Sequence, residues 1–281
     1  SPYLTFTPSS AGNRRTWTFS CWVKRANIGI GTYFFHTWTD DTYRCSFSFG
    51  SNDKLTFYEG PNEIELTTDA VFRDTSAWYH IVYVYDTTQG TATNRFKIYV
   101  NNVLQTLSYV QGPVAQNYQG ATNNASTIHT LGRSHHSTSP GSYFDGYLAE
   151  VHFIDGTALT PTSFGETGDY GEWKPKEVSG LTYGTNGFYL DFADSAALGD
   201  DESGNTNDWT ATNLAATDQM LDSPTNNFAT LNPLVTNNDS TFSEGNLKVI
   251  TGDGGSSAYS SMSTGLTGKW YAEFICTAHT T

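Results

Sequence analysis

The chain has 281 residues, with 14 Lys and Arg against 28 Asp and Glu and a formal net charge of -14 at pH 7. Only 15% of residues are charged, another 15% are aromatic, and there are 26 Gly. Cations this sparse do not build a phosphate-docking face, so nucleic acid is excluded as a partner. A disordered acidic segment lacks such aromatic content, and no run approaches the ~20 apolar residues of a membrane span.

The chain opens Ser1-Pro2-Tyr3-Leu4-Thr5-Phe6, with no initiator Met and no basic, apolar leader. It is therefore expected to begin inside a longer polypeptide or after processing. From Thr16 to Lys24, Trp17, Phe19, Cys21 and Val23 alternate with Thr18, Ser20, Trp22 and Lys24, predicting a half-buried strand. Cys45, Phe47 and Phe49 alternate with serines in the same way, and Leu55–Tyr58 follows the turn residues Ser51-Asn52-Asp53. Trp78–Tyr85 is apolar or aromatic on both faces, as a central strand covered on both sides would be. Phe96–Val100 answers it, and Asn101-Asn102 offers the left-handed conformations of a hairpin turn into Val103–Leu107. Further strands are expected at Ile128–Leu131 and Tyr147–Ile154. No segment carries a helical stripe; Thr162–Glu166 predicts one turn at most. The fold class is all-β, an antiparallel β-sandwich or jelly roll.

A boundary is expected near residue 168. Residues 169–242 read as an irregular polar connection with one strand-like segment, Gly187–Phe192, and an Asp/Asn/Gly loop from Gly199 to Asp208. Strand patterns resume at Gly245–Ile250 and Gly268–Ile275, so 243–281 reads as the beginning of a second β-sandwich. The three cysteines are Cys21, Cys45 and Cys276. Cys21 and Cys45 are either bridged or a pair of buried free thiols.

Four segments of residues 1–168 resemble the LamG-like jelly rolls of the concanavalin A-like lectin/glucanase superfamily. They are Thr16–Lys24 ("TWTFSCWVK"), Trp78–Asp86 ("WYHIVYVYD"), Phe96–Asn102 ("FKIYVNN") and Phe144–Val151 ("FDGYLAEV"), the last followed by Thr157–Thr160. Asp200–Trp209 is similar to the "D-x-S-G-N-x-N-D" loop near the start of many such domains. Gly268–Glu273 ("GKWYAE") looks like an early strand of SPRY-type sandwiches. The whole order of motifs resembles virion fibre or structural proteins of marine phages, of the cyanophage and pelagiphage type. That resemblance implies a virion-surface location, other virion subunits as partners, a homo-oligomer and contact with cell-surface polysaccharide.

Folds of this type often hold one Ca²⁺ at the sandwich rim. The oxygen-rich cluster Asp200, Asp201, Asn205 and Asp208 is the candidate ligand set, against the reading that these side chains hold local backbone amides in an Asx-rich turn. Glycan sites on such folds lie on rim loops that combine an exposed aromatic with carboxylates and amides. His36–Tyr43 has those ingredients, giving Trp38, Asp40, Asp41 and Tyr43 as candidates, and Arg133 and His135 come from a second loop. A loop Trp that only covers the core edge is the competing reading. His135 and His136 are a poor zinc pair, because neighbouring side chains diverge on an extended chain. His152 reads as an ordinary sheet-face residue. No segment matches the paired-carboxylate strand "E-x-D-x-x-E" of laminarinase-type relatives, nor a nucleophile elbow or phosphate loop. The expectation is a non-enzymatic adhesion or structural protein, with a purely architectural role as the alternative and a polysaccharide depolymerase behind both.

Overall fold

The computed structural model describes residues 1–40, 43–60, 64–136, 141–236, 240–251, 257–263 and 267–276. The chain divides into two compact units, Ser1–Phe228 and Ala229–Thr281.

The first unit carries β1 (Tyr3–Phe6), β2 (Thr16–Arg25), β3 (Thr32–Trp38), β4 (Arg44–Phe49), β5 (Leu55–Glu59) and β6 (Ile64–Thr68). It continues with β7 (Trp78–Asp86), β8 (Phe96–Val100), β9 (Val103–Leu104), β10 (Leu107–Gln111), β11 (Ile128–Leu131) and β12 (Gly146–Asp155). Four short strands follow: β13 (Gly165–Thr167), β14 (Trp173–Pro175), β15 (Phe188–Leu190) and β16 (Thr210–Thr212). Among the described residues two large antiparallel sheets form, in the orders β10-β6-β5-β4-β3-β11-β1-β16 and β15-β12-β2-β7-β8-β9. The all-β sandwich expected from the sequence is the observed fold.

Period-2 alternation turns one face of each strand into the space between the sheets. That core is aromatic. Phe47 lies 4.3 Å from Tyr83, 4.7 Å from Phe35 and 5.1 Å from Phe19, while Trp17 stacks on Tyr85 at 4.7 Å. Cys21 and Cys45 are buried free thiols, so no bridge joins them.

The outer face of the six-stranded sheet departs from expectation. Thr18, Ser20, Trp22 and Lys24 are as buried as the inward half of β2. A second apolar cluster explains this: Val82 and Ile154 of the sheet pack with Phe164 and Tyr183, joined by Leu159, Val178 and Leu181. Residues between 173 and 212 thus contribute strands and cover to the sandwich. β15 pairs with β12, and β16 pairs with β1, closing an edge of each sheet. The division between the two compact units falls after Phe228.

The second unit holds β17 (Leu231–Thr236) paired with β20 (Ala258–Ser260), and β18 (Ser240–Ser243) paired with β19 (Lys248–Thr251). The strand expected at Gly268–Ile275 is not formed, and Trp270, Tyr271, Phe274 and Ile275 are exposed. Alternation supplies a face, but a strand also needs a neighbour for its amides. Among the described residues none pairs with this segment.

Candidate functional site

The outer face of the eight-stranded sheet builds the site. Alternation along β3 sends Phe35 and Thr37 inward and His36 and Trp38 outward. Trp38 stands opposite Arg44 of β4 on one side and Ile128 of β11 on the other. Because β11 is inserted between β1 and β3, the segment after β11 returns over the end of β3. It places the rings of His135 and His136 at 5.7 and 5.8 Å from the Trp38 indole. The His135 amide donates to His36 Nδ1 at 3.2 Å, and Ser142 O accepts the Tyr33 amide at 3.3 Å. Arg133 Nη2 donates to His135 Nδ1 at 3.2 Å, and its guanidinium lies 3.7 Å from the ring centre of Tyr3. Trp38 Nε1 and Arg133 Nε are buried with no hydrogen-bond partner among the described residues.

The positively charged side chains of the site are Arg44 and Arg133, since the lowered histidines add no charge. Burial pushes His36 down to about 3, helped by His135, Arg44, His136 and His129. His135 is lowered by burial, then by Arg133 and His136. Around the cluster the sheet face offers hydroxyls: Ser46 and Ser48 on β4, Thr56 and Tyr58 on β5. Arg44 Nη2 donates to Tyr58 Oη at 2.8 Å.

Two candidate loops thus meet at Trp38, Arg133 and His135, while other candidates fall elsewhere. Asp40 is exposed and accepts the Tyr43 amide at 3.0 Å, closing the β3–β4 turn. Tyr43 is exposed, with the Arg14 guanidinium 5.7 Å from its ring centre. Asp41 lies outside the described residues. Sequence reasoning missed Tyr3 and Arg44, which enter only through strand order and register.

The Asp200–Asp208 loop is cross-linked by its own side chains. Asp201 Oδ1 accepts the amides of Tyr189 at 2.8 Å and Ser203 at 2.9 Å. Asp201 Oδ2 accepts the Ser203 hydroxyl and the Asn207 amide, each at 2.8 Å. Asp208 Oδ1 takes the Asp201 amide at 3.0 Å. Asn205 Nδ2 donates to the carbonyls of Gly184 and Gly187 at 2.7 and 2.9 Å. Asp200 is exposed. The Asp201 carboxylate, its oxygens taken by N–H and O–H donors, does not fit a cation ligand. Among the described residues no group of three His, Cys, Asp or Glu is arranged to hold a metal ion. The loop's role is to seat β15.

A second polar cluster lies under the cover of the six-stranded sheet. Trp173 Nε1 donates to His80 Nδ1 at 2.9 Å, so the proton sits on Nε2, 2.8 Å from Ser20 Oγ. His152 stacks on Tyr189 at 4.1 Å and reaches Tyr183 Oη at 2.9 Å. Burial raises the Glu150 carboxyl, with Tyr189 opposing and Asp191 adding. His80 and His152 are fully buried and neutral, and act as sheet-packing residues.

A family profile described as "Concanavalin A-like lectin/glucanases superfamily" (Laminin_G_3) matches residues 1–163. The chain belongs to this family. Solved structures with similar folds include a heptameric SAP-like pentraxin from Limulus polyphemus, 18% identical, covering 57% of this chain and 71% of that one at a TM-score of 0.41. Domain 4 of AbnA, a GH43 extracellular arabinanase from Geobacillus stearothermophilus, is 20% identical over 55% of this chain and 67% of its own, with a TM-score of 0.39. The CBM40 of the Ruminococcus gnavus IT-sialidase is 12% identical over 53% and 80%, also at 0.39. Likeness at this level concerns the course of the sheets and carries nothing about ligand. No curated protein matches the chain.

Proposed function

We propose that the chain is a saccharide-binding module of a virion fibre or surface decoration protein, with the Trp38 cluster as its binding surface. The observation that carries this reading is the convergence of two sequence-distant loops on one indole, with His135 and His136 flanking it. An indole offers a flat apolar face to the C–H side of a sugar ring, while nearby hydroxyl, imidazole and guanidinium groups fix its hydroxyls. The family's description couples lectins with glucanases. Binding is preferred over hydrolysis because the chain has no strand with the "E-x-D-x-x-E" spacing that aims paired carboxylates at one sugar. The virion setting, and an extracellular location with it, rests on the resemblance of the motif order. A net charge of -14 suits a protein that must avoid indiscriminate contact with anionic cells.

The test is a glycan array probed with the purified protein and with Trp38→Ala. The wild type is expected to bind a subset of surface polysaccharides, and the variant to lose at least about tenfold in affinity, as loss of a buried Trp anchor does. Equal binding by both proteins would sink the assignment of the site.

A second reading, an architectural subunit that associates with its own copies, is favoured by one side of the sandwich. There β9 exposes Val103 and Leu104 and β10 exposes Tyr109 and Val110, at the edges of the two sheets. Light scattering should find an oligomer that Val110→Lys dissociates; a wild-type monomer ends this reading.

A further inference from the structure

We propose that the saccharide taken by the Trp38 surface is an acidic one, its carboxylate or sulfate seated against Arg133; this deepens the saccharide-binding reading and rests on it. The argument starts from the buried cations. Lys24 is shut off from solvent and pairs with Asp222 at 2.6 Å, and Arg25 is equally buried and pairs with Asp53 at 3.1 Å. Arg133 is 8% exposed and makes no ion pair among the described residues. Its contacts there are the neutral acceptor His135 Nδ1 and the face of Tyr3, and its Nε is left without a partner. A buried charge without a counter-ion is costly, and a cation–π contact offsets only part of that cost. The other two buried cations are neutralised from within the fold, so the third marks a place where the anion comes from outside.

The neighbourhood agrees. Arg44 stands across from Trp38, and the rings of His135 and His136 flank the indole. A positive spot on a chain of net charge -14 attracts an acidic polysaccharide at one place and repels it elsewhere, which fixes where the ligand docks. A fork of guanidinium donors suits either a carboxylate or a sulfate.

Calorimetry on the full chain with two matched pairs of probes tests the idea. One pair is an oligogalacturonate and its carboxyl-reduced form; the other is a κ-carrageenan oligosaccharide and its desulfated form. Acidic probes are expected to bind at least tenfold tighter than their neutral partners, and the better pair identifies the acid group. Arg133→Gln should abolish the difference between the members of each pair. Arg133→Lys, which keeps the charge should the glutamine variant fail to fold, should retain a reduced preference. Equal binding of both members of each pair overturns the acidic-ligand proposal and leaves saccharide binding standing. Preference surviving in Arg133→Gln removes Arg133 from the site, and no binding to any probe overturns both readings.

Discussion

Lys24 Nζ meets the Asp222 carboxylate at 2.6 Å across 198 residues of sequence, and neither side chain faces solvent. The ammonium's other two donors reach Asn227 Oδ1 at 2.8 Å and Phe228 O at 3.0 Å, while Asp222 Oδ1 accepts Trp78 Nε1 at 2.8 Å. Every donor of the lysine is satisfied, and the strap ending the first unit is pinned to β2 and β7. Removing one partner of such a pair strands the other charge. Asp222→Ala is therefore expected to cost about 3–5 kcal/mol in urea unfolding. Adding Lys24→Met in that background should restore much of the loss, because an apolar side chain needs no counter-ion. A cost below about 1 kcal/mol for Asp222→Ala would show that the strap is not held there.

Acid sensitivity follows from the histidines. Burial pushes His80 down to about 3, and burial with the nearby His80 does the same to His152. Burial takes His129 to about 4, opposed by the hydrogen bond its Nδ1–H donates to the Thr127 carbonyl, and His36 reaches about 3. Each folded value lies below the unfolded value of about 6.5. Between those limits the unfolded chain binds protons that the folded chain does not, so stability falls as pH drops through 6.5 towards 4. Asp53 adds its loss only below about 4. Burial disfavours its charge, but the Gly29 amide, Arg73 and Arg25 together hold its carboxyl below the ordinary value. Thermal melts between pH 7 and 4.5 should show a monotonic fall in Tm, shallower in His80→Gln by one proton's worth. A flat curve in that window would contradict neutral buried imidazoles.

How far the sequence reveals this arrangement can be judged on β2 and on the site. The inward half of β2, Trp17 to Val23, is legible because its neighbours in the core are also alternating strands. The outward half is not legible, since its cover comes from residues 157–183 and from the 219–228 strap, segments with no period of their own. Likewise Trp38 and His135 stand out as residue types suited to a sugar. Their meeting depends on β11 lying between β1 and β3, and Tyr3 and Arg44 join only through that non-local order. Local pattern finds faces; it does not say which faces meet.

The Asp200–Asp208 loop gives a prediction with a chemical control. Asp201 accepts four hydrogen bonds, one of them from the Tyr189 amide that carries β15. Losing several charge-assisted bonds at once should make Asp201→Ala cost about 2–4 kcal/mol. Because the same oxygens are already occupied, the wild-type Tm should be the same in EDTA and in millimolar Ca²⁺. A calcium-dependent rise would show that the loop opens to exchange amides for an ion.

Tyr83 tests the core from its centre. Its ring stacks on Phe47 at 4.3 Å with an interplanar angle of 12°, yet its hydroxyl is buried with no hydrogen-bond partner among the described residues. Desolvation of an unpaired hydroxyl costs about 1–3 kcal/mol, whereas the ring's packing is favourable. Tyr83→Phe keeps the ring and removes the orphan, so unfolding free energy should rise by about 1 kcal/mol. Phe47→Ala, which deletes a ring in contact with Trp17, Phe19, Phe34, Phe35, Phe57 and Tyr83, should instead lower it by about 3–5 kcal/mol. The pair of signs separates the two contributions. Should Tyr83→Phe destabilise as well, the hydroxyl must be bonded to a water enclosed between the sheets, and a matched loss in the slow-exchanging amides of β7 would locate it.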